Sequence, residues 1–383
     1  MAAQPSIARR RTIMRRRAGG LVVFVTLIAV FLAATGGRAR HRVPVGTRGG
    51  RVADPSRNAS SAPTAQLRPG SDPNVLPGPV LIADRDNNRL LEVSPQGRVL
   101  WRFPEPGDLS PGQTFLLPDD AFFSPDGREI VATEEDDFAV SIIDLAEHRI
   151  VYRYGHPGEP GSEPDYLHNP DDAMLTPSGE LLMADIKNCR VLVIRPPAHH
   201  PLRQLGVTGD CEHGAGVTYG SPNGAFPMSN GDTAVTEMNG DWLDLLAPNG
   251  RALAATHPPA FTYPSDTNEV RPGVFLSADY TKPGAIETFT TAGRLLWRYE
   301  PTGAEALDQP SLALPLPNGD ILANDDKNDR VIVVDPHTDR IVWQYGHTGV
   351  PGSGDGFLSN PDGVDLAAPY SLGRRFSASM RAP

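Results

Sequence analysis

Two acidic doublets, Asp119–Asp120 and Asp171–Asp172, each follow a proline directly, and Asp266 stands two residues after Pro264. Carboxylates gathered in this way supply the hard oxygen ligands that calcium takes. His168, two residues before Pro170, adds an imidazole of the kind that zinc accepts. Asp120, Asp172 and His168 are therefore the candidate metal ligands, and Asp119, Asp171 and Asp266 extend them to a ligand-binding set. Calcium or zinc is the cofactor such a set would take. The competing role is local, because an Asp beside a turn accepts backbone N–H groups and closes that turn without any ligand.

Other residues that could do chemistry are fewer. His156 and His347 occur in matching Tyr–Gly–His segments, and His213 lies on a comparable stretch. Imidazoles there could hold zinc or act as a base, although a segment repeated twice also fits a shared loop conformation. Cys189 and Cys211 lack C-x-x-C spacing, so dithiol redox chemistry and structural zinc have no support from them. In an oxidising compartment the two would form a disulfide. No G-x-S-x-G elbow or glycine-rich phosphate loop stands in a strand-to-helix setting.

The elements that must position these residues are repeats. A Pro followed by a small oxygen-bearing residue recurs as Pro118–Asp119, Pro170–Asp171, Pro222–Asn223, Pro264–Ser265, Pro310–Ser311 and Pro361–Asp362, at intervals of 52, 52, 42, 46 and 51 residues. A second marker ends an apolar run with an acid: Asp84, Glu134, Asp185, Glu237, Asp279 and Asp325. Between the two lie hairpin signals such as Ser124–Pro125–Asp126–Gly127 and Ser229–Asn230–Gly231, and each unit closes on a run such as Leu295–Leu296–Trp297–Arg298–Tyr299. Four short strands in ~45 residues is the period of a propeller blade, and the 38 Gly and 39 Pro suit many tight turns.

The expected fold is all-β, a six-bladed β-propeller with four-stranded blades. The first unit lacks a first strand, whereas Pro361–Leu366 is a first strand with no unit after it, so the C-terminal strand should complete the N-terminal blade. Up-and-down order puts both acid-rich markers and the long connections 155–169, 206–221 and 346–360 on one face, where binding residues concentrate. The repeated aromatics Trp101, Tyr152, Trp297 and Trp343 suit packing between blades.

Residues Ile82–Leu90 (IADRDNNRL) and Tyr345–Ser353 (YGHTGVPGS), with Asn360–Val364 (NPDGV) downstream, resemble the NHL-repeat signature. The Trp-bearing closing strands are similar to those of pyrroloquinoline-quinone-like exported bacterial propellers. This resemblance spans about residues 76–368 and implies the propeller fold. Such families include binding modules, sensor domains and enzymes, among them six-bladed amidating lyases with histidine-held zinc.

Charge and address complete the reading. Residues 1–70 hold thirteen of the 35 basic residues and one of the 46 acids, which leaves the remainder near −23. That surface repels a phosphate backbone and argues against a nucleic-acid partner. Six arginines between Arg9 and Arg17 precede the uncharged run Gly19–Gly37, the pattern of a signal peptide or a retained signal anchor that would bring the chain to a membrane. The expected organisation is 1–37 signal or anchor helix, 38–75 flexible linker, 76–368 propeller and 369–383 tail. The leading function is an extracytoplasmic, non-catalytic propeller, anchored or secreted, that binds a ligand or protein partner through its long-loop face. A metal-dependent lyase or hydrolase on the same scaffold is the alternative, and a quinone-dependent oxidoreductase stands third.

Overall fold

The computed structural model describes residues 67–374, which form six four-stranded antiparallel sheets. Five sheets take their strands in chain order. The remaining sheet, blade one, joins Pro361–Leu366 to Val80–Asp84, Arg89–Val93 and Val99–Phe103, so the two ends of the domain share one blade. This closure meets the expectation from the unpaired units and leaves no open ring edge. The signal or anchor segment 1–37 lies outside the described residues. Among those described, no helix is long and apolar enough to cross a membrane.

The first strands of the blades, Pro361–Leu366, Pro118–Phe123, Pro170–Leu175, Pro222–Pro227, Pro264–Arg271 and Ala313–Pro315, contact one another in sequence around the ring and line its centre. Apolar side chains fill the spaces between blades, and Phe122 of blade two and Phe226 of blade four, both on inner strands, meet edge to face at 5.8 Å. Closing-strand aromatics then tie three of the blades to the next. Trp343 Nε1 donates to the Pro95 carbonyl oxygen (2.8 Å), Trp297 Nε1 to Asp339 Oδ1 (2.9 Å), and the Tyr152 hydroxyl to the Ala198 carbonyl oxygen (2.6 Å). Each indole or phenol buries an apolar body and satisfies its polar tip across the seam.

Two segments expected outside the propeller pack on it. Residues 67–75, assigned above to the linker, run beside the outer strand Arg340–Gly346 of blade six: Arg68 N–H donates to Gln344 O (3.1 Å) and Asp72 N–H to Val342 O (2.9 Å). Leu67, Val75 and Leu76 add apolar side chains to the core there, which holds the segment in place. At the other end, Leu372 is buried and its N–H donates to Asp365 Oδ1 (2.9 Å).

Candidate functional site

The prolines that open the first strands are followed by breaks in pairing register, between Pro118 and Ala121, Pro170 and Ala173, Pro222 and Gly224, and Ser265 and Asn268. Regular strands send successive side chains to opposite faces, whereas a bulge re-aims them. Asp119, Asp171, Asn223, Ser265, Ser311 and Asp362, one from each blade, all line a single central cavity of about 150 Å³. Asp120 and Asp266 line it too.

Asp120, Asp171, Asp172 and Asp266 converge. One carboxylate oxygen from each lies within 4.8 Å of the other three, although the four residues come from blades two, three and five. Asp172 is 0% exposed, Asp266 1% and Asp120 2%. Both oxygens of Asp172, and Oδ1 of Asp120 and of Asp266, have no hydrogen-bond partner among the described residues. Blade four makes room for this by carrying Gly224 at the matching position, where a Cβ would lie 2.9 Å from Thr236 Oγ1 and 3.3 Å from Asp172 Oδ2. Asp266 holds a φ of 41°, a backbone state Asp tolerates better than most residues. Burial first, and then mutual repulsion, pushes all four carboxyls well above their ordinary range.

The other side of the cavity is neutralised. Arg85, from blade one, donates to Asp119, to Asp136 Oδ2 (2.6 Å) and to Glu135 Oε2 (3.0 Å), and stands 3.4 Å from Asp362 Oδ2. Burial, the largest influence, pushes the Asp362 carboxyl up, yet the charge of Arg85, hydrogen bonds with Asp119 and Asp326 and the charge of Lys327 together hold it below the usual range. Asp119 stays raised, through burial and the charge of Asp362. The cavity therefore has one wall with a resident guanidinium and another with Asp120, Asp171 and Asp266, backed by the buried Asp172, and none of these four meets Lys, Arg or His in an ion pair among the described residues.

His168, expected as a ligand beside Asp120 and Asp172, does not join them. Asn169 turns the chain at φ 55°, the His168 backbone N–H donates to Asp185 Oδ1 (2.8 Å), and the ring packs edge-on against Phe138 at 5.8 Å. His156 and His347 each lie on the aromatic ring ten residues onward, Tyr166 at 3.9 Å and Phe357 at 4.3 Å, which matches a shared loop conformation. Cys189 and Cys211 form a disulfide with Cα atoms 5.2 Å apart, pinning the long connection between blades three and four.

Every acid of the ring ties its blade to the preceding connection. The ring members accept backbone N–H bonds from that connection, Asp84 from Ser359, Glu134 from Leu116, Asp185 from His168, Glu237 from Gly220, Asp279 from Tyr263 and Asp325 from Asp308. Cavity residues that sequence reasoning missed sit directly after this ring: Arg85, Glu135, Ile186 and Tyr280. Their signal was present, since the position after each marker acid is also repeated.

No protein-family model matches the chain, and no curated protein matches it. Among solved structures, a protein of unknown function from Bacteroides caccae superposes with TM-score 0.52 at 15% identity, covering 75% of this chain and 98% of that one. A chain in the crystal structure of a nidogen/laminin complex superposes with TM-score 0.50 at 15% identity, covering 76% and 99%. These likenesses are of fold alone. With the six closed blades, they make this protein a β-propeller.

Proposed function

We propose that this protein is an extracytoplasmic, non-catalytic propeller, delivered by residues 1–37 and then anchored or released, that binds a ligand or protein partner on its long-loop face through calcium held by Asp120, Asp171, Asp172 and Asp266. The observation that carries this reading is the set of buried, unpartnered carboxylate oxygens within 4.8 Å of one another. Buried like charges at such spacing stay ionised only when a cation joins them. Oxygen-only ligands favour a hard cation, and calcium accepts six to eight of them in flexible geometry. Four carboxylates leave coordination positions toward the cavity, where a carboxylate or carbonyl of a partner would complete the shell.

Calorimetric titration of chelator-treated protein with calcium chloride tests this. One calcium per chain is expected, with stability rising as RT ln(1 + [L]/Kd), about 2.7 kcal/mol at a hundredfold excess over Kd. Changing Asp120→Asn and Asp172→Asn together should abolish both effects. Absence of any calcium response in the unsubstituted protein would overturn the cation-bridged reading. The disulfide and the charged N-terminus support the extracytoplasmic address. Thiol titration of denatured protein taken directly from cells should find none free, and two reactive thiols would contradict export.

A further inference from the structure

Six buried marker acids occupy equivalent strand ends, and five of them meet an arginine. In blades one, three and six the arginine comes five residues later: Arg89 Nε to Asp84 Oδ2 (2.6 Å), Arg190 Nε to Asp185 Oδ2 (2.8 Å) and Arg330 Nε to Asp325 Oδ2 (2.7 Å). In blades two and five it comes from the outer strand: Arg153 Nη2 to Glu134 Oε1 (2.8 Å), and Arg298 Nη2 at 4.0 Å from Asp279 Oδ2. Blade four has neither. Trp242 occupies the position five residues after Glu237. Ala255 occupies the outer-strand position, because it pairs with Asp244 as Arg153 pairs with Ser141 and Arg298 with Glu287.

Blade four keeps an added acid without the arginine: Asp244 stands where blade five carries Glu287, which Arg298 pairs. Asp244, 0% exposed, faces Glu237, and the only basic side chain paired with them among the described residues is His213, whose Nδ1 lies 3.0 Å from Glu237 Oε1. One ligand atom from each of His213, Glu237 and Asp244 lies within 4.8 Å of the other two. Asp244 Oδ1 is buried with no hydrogen-bond partner, and the buried Tyr219 hydroxyl beside these acids also has none among the described residues. Two contacts fix the imidazole: its ring stacks on Trp242 at 3.9 Å, and the disulfide at Cys211 ties down its loop two residues earlier.

We propose that blade four binds a zinc ion through His213, Glu237 and Asp244, the metal standing where the other blades use a guanidinium. One imidazole nitrogen with two carboxylates is a zinc donor set and leaves a fourth position for water, whereas calcium prefers oxygen alone. The site is separate from the four-aspartate cluster, so either could fail without the other.

The test uses full-length protein carrying Asp120→Asn and Asp172→Asn, which silences the central cluster, after chelator treatment and with zinc chloride as the only added metal. Titration should give one zinc per chain and a rise in Tm. His213→Ala should weaken zinc binding at least ~100-fold, beyond the upper end of losses seen for outer-shell changes. Ala255→Arg, which supplies the missing guanidinium, should fold and melt at the same temperature with or without zinc. No zinc binding in the parent, or a zinc response unchanged in both variants, would overturn the proposal and leave a carboxyl proton as the neutralising charge. Calcium titration of protein with both aspartates intact reports on the central cluster independently.

Discussion

Arg330, almost wholly buried, points its Nε at Asp325 Oδ2 across 2.7 Å, five residues back along the chain. Asn328 Nδ2 donates to the same oxygen (2.9 Å), and the Asp308 N–H satisfies the other (2.8 Å). The spacing repeats as Asp84–Asn87–Arg89 and Asp185–Asn188–Arg190, each around one turn of 3-10 helix that ends in a left-handed residue. Removing one partner from such a pair strands the other as a buried charge, at a loss of about 3–5 kcal/mol. Asp325→Ala should therefore destabilise strongly in urea unfolding, and Asp325→Leu with Arg330→Met should recover part of that loss. A single-variant loss under about 1 kcal/mol would mean that solvent reaches the pair, contrary to its burial.

Ring closure depends on Pro361–Leu366. Its strand pairs with Val80–Asp84 on one side and packs against the first strand of blade two, where Gly363 has no room for a Cβ, 2.7 Å from the Asp120 Cα. Truncation before Pro361 removes this strand and exposes an inner edge. Soluble, monomeric yield should collapse, as judged by size-exclusion chromatography. A truncated chain that melts cooperatively at the original temperature would show that the ring does not need this strand.

The central carboxylates predict an inverted pH dependence. Asp120, Asp172 and Asp266 are pushed well above their ordinary value of 3.8 by burial and by one another. Between that value and the raised one, the folded chain keeps protons that the unfolded chain has released, so their contribution to stability falls as pH rises. In chelator, the Tm difference between the protein and its Asp120→Asn, Asp172→Asn variant should grow against the unsubstituted protein from pH 5 to pH 7.5. Calcium should shrink that penalty most at the higher pH. A penalty independent of pH would indicate that these carboxyls remain ionised throughout.

Blade number, strand order and the shared first blade were legible because every blade needs the same local chemistry. Proline opens a bulged inner strand, Gly or Asn turns each hairpin, and an acid closes the second strand, so each requirement leaves residues at a fixed spacing. The aromatic positions followed for the same reason, since Trp297 and Trp343 repeat one seam contact. Asp119, Asp171 and Asp362 could likewise be placed at the cavity from their shared register after proline.

What the sequence could not decide was which acids meet, and which keep a counter-charge. His168 is two residues from Pro170 yet faces away, because a left-handed Asn169 reverses the chain between them. Asp266 lies 94 residues beyond Asp172 and belongs to a blade two places away, yet it joins the same cluster because blade four places Gly224 between them. Arg85 reaches Asp119 in the neighbouring blade, and Glu237 lacks the arginine that its five counterparts possess. Local turns follow from residues a few positions apart and so leave a period in the chain. Charge pairing follows from separations of a few ångströms across a closed ring, and only the tertiary structure sets those distances.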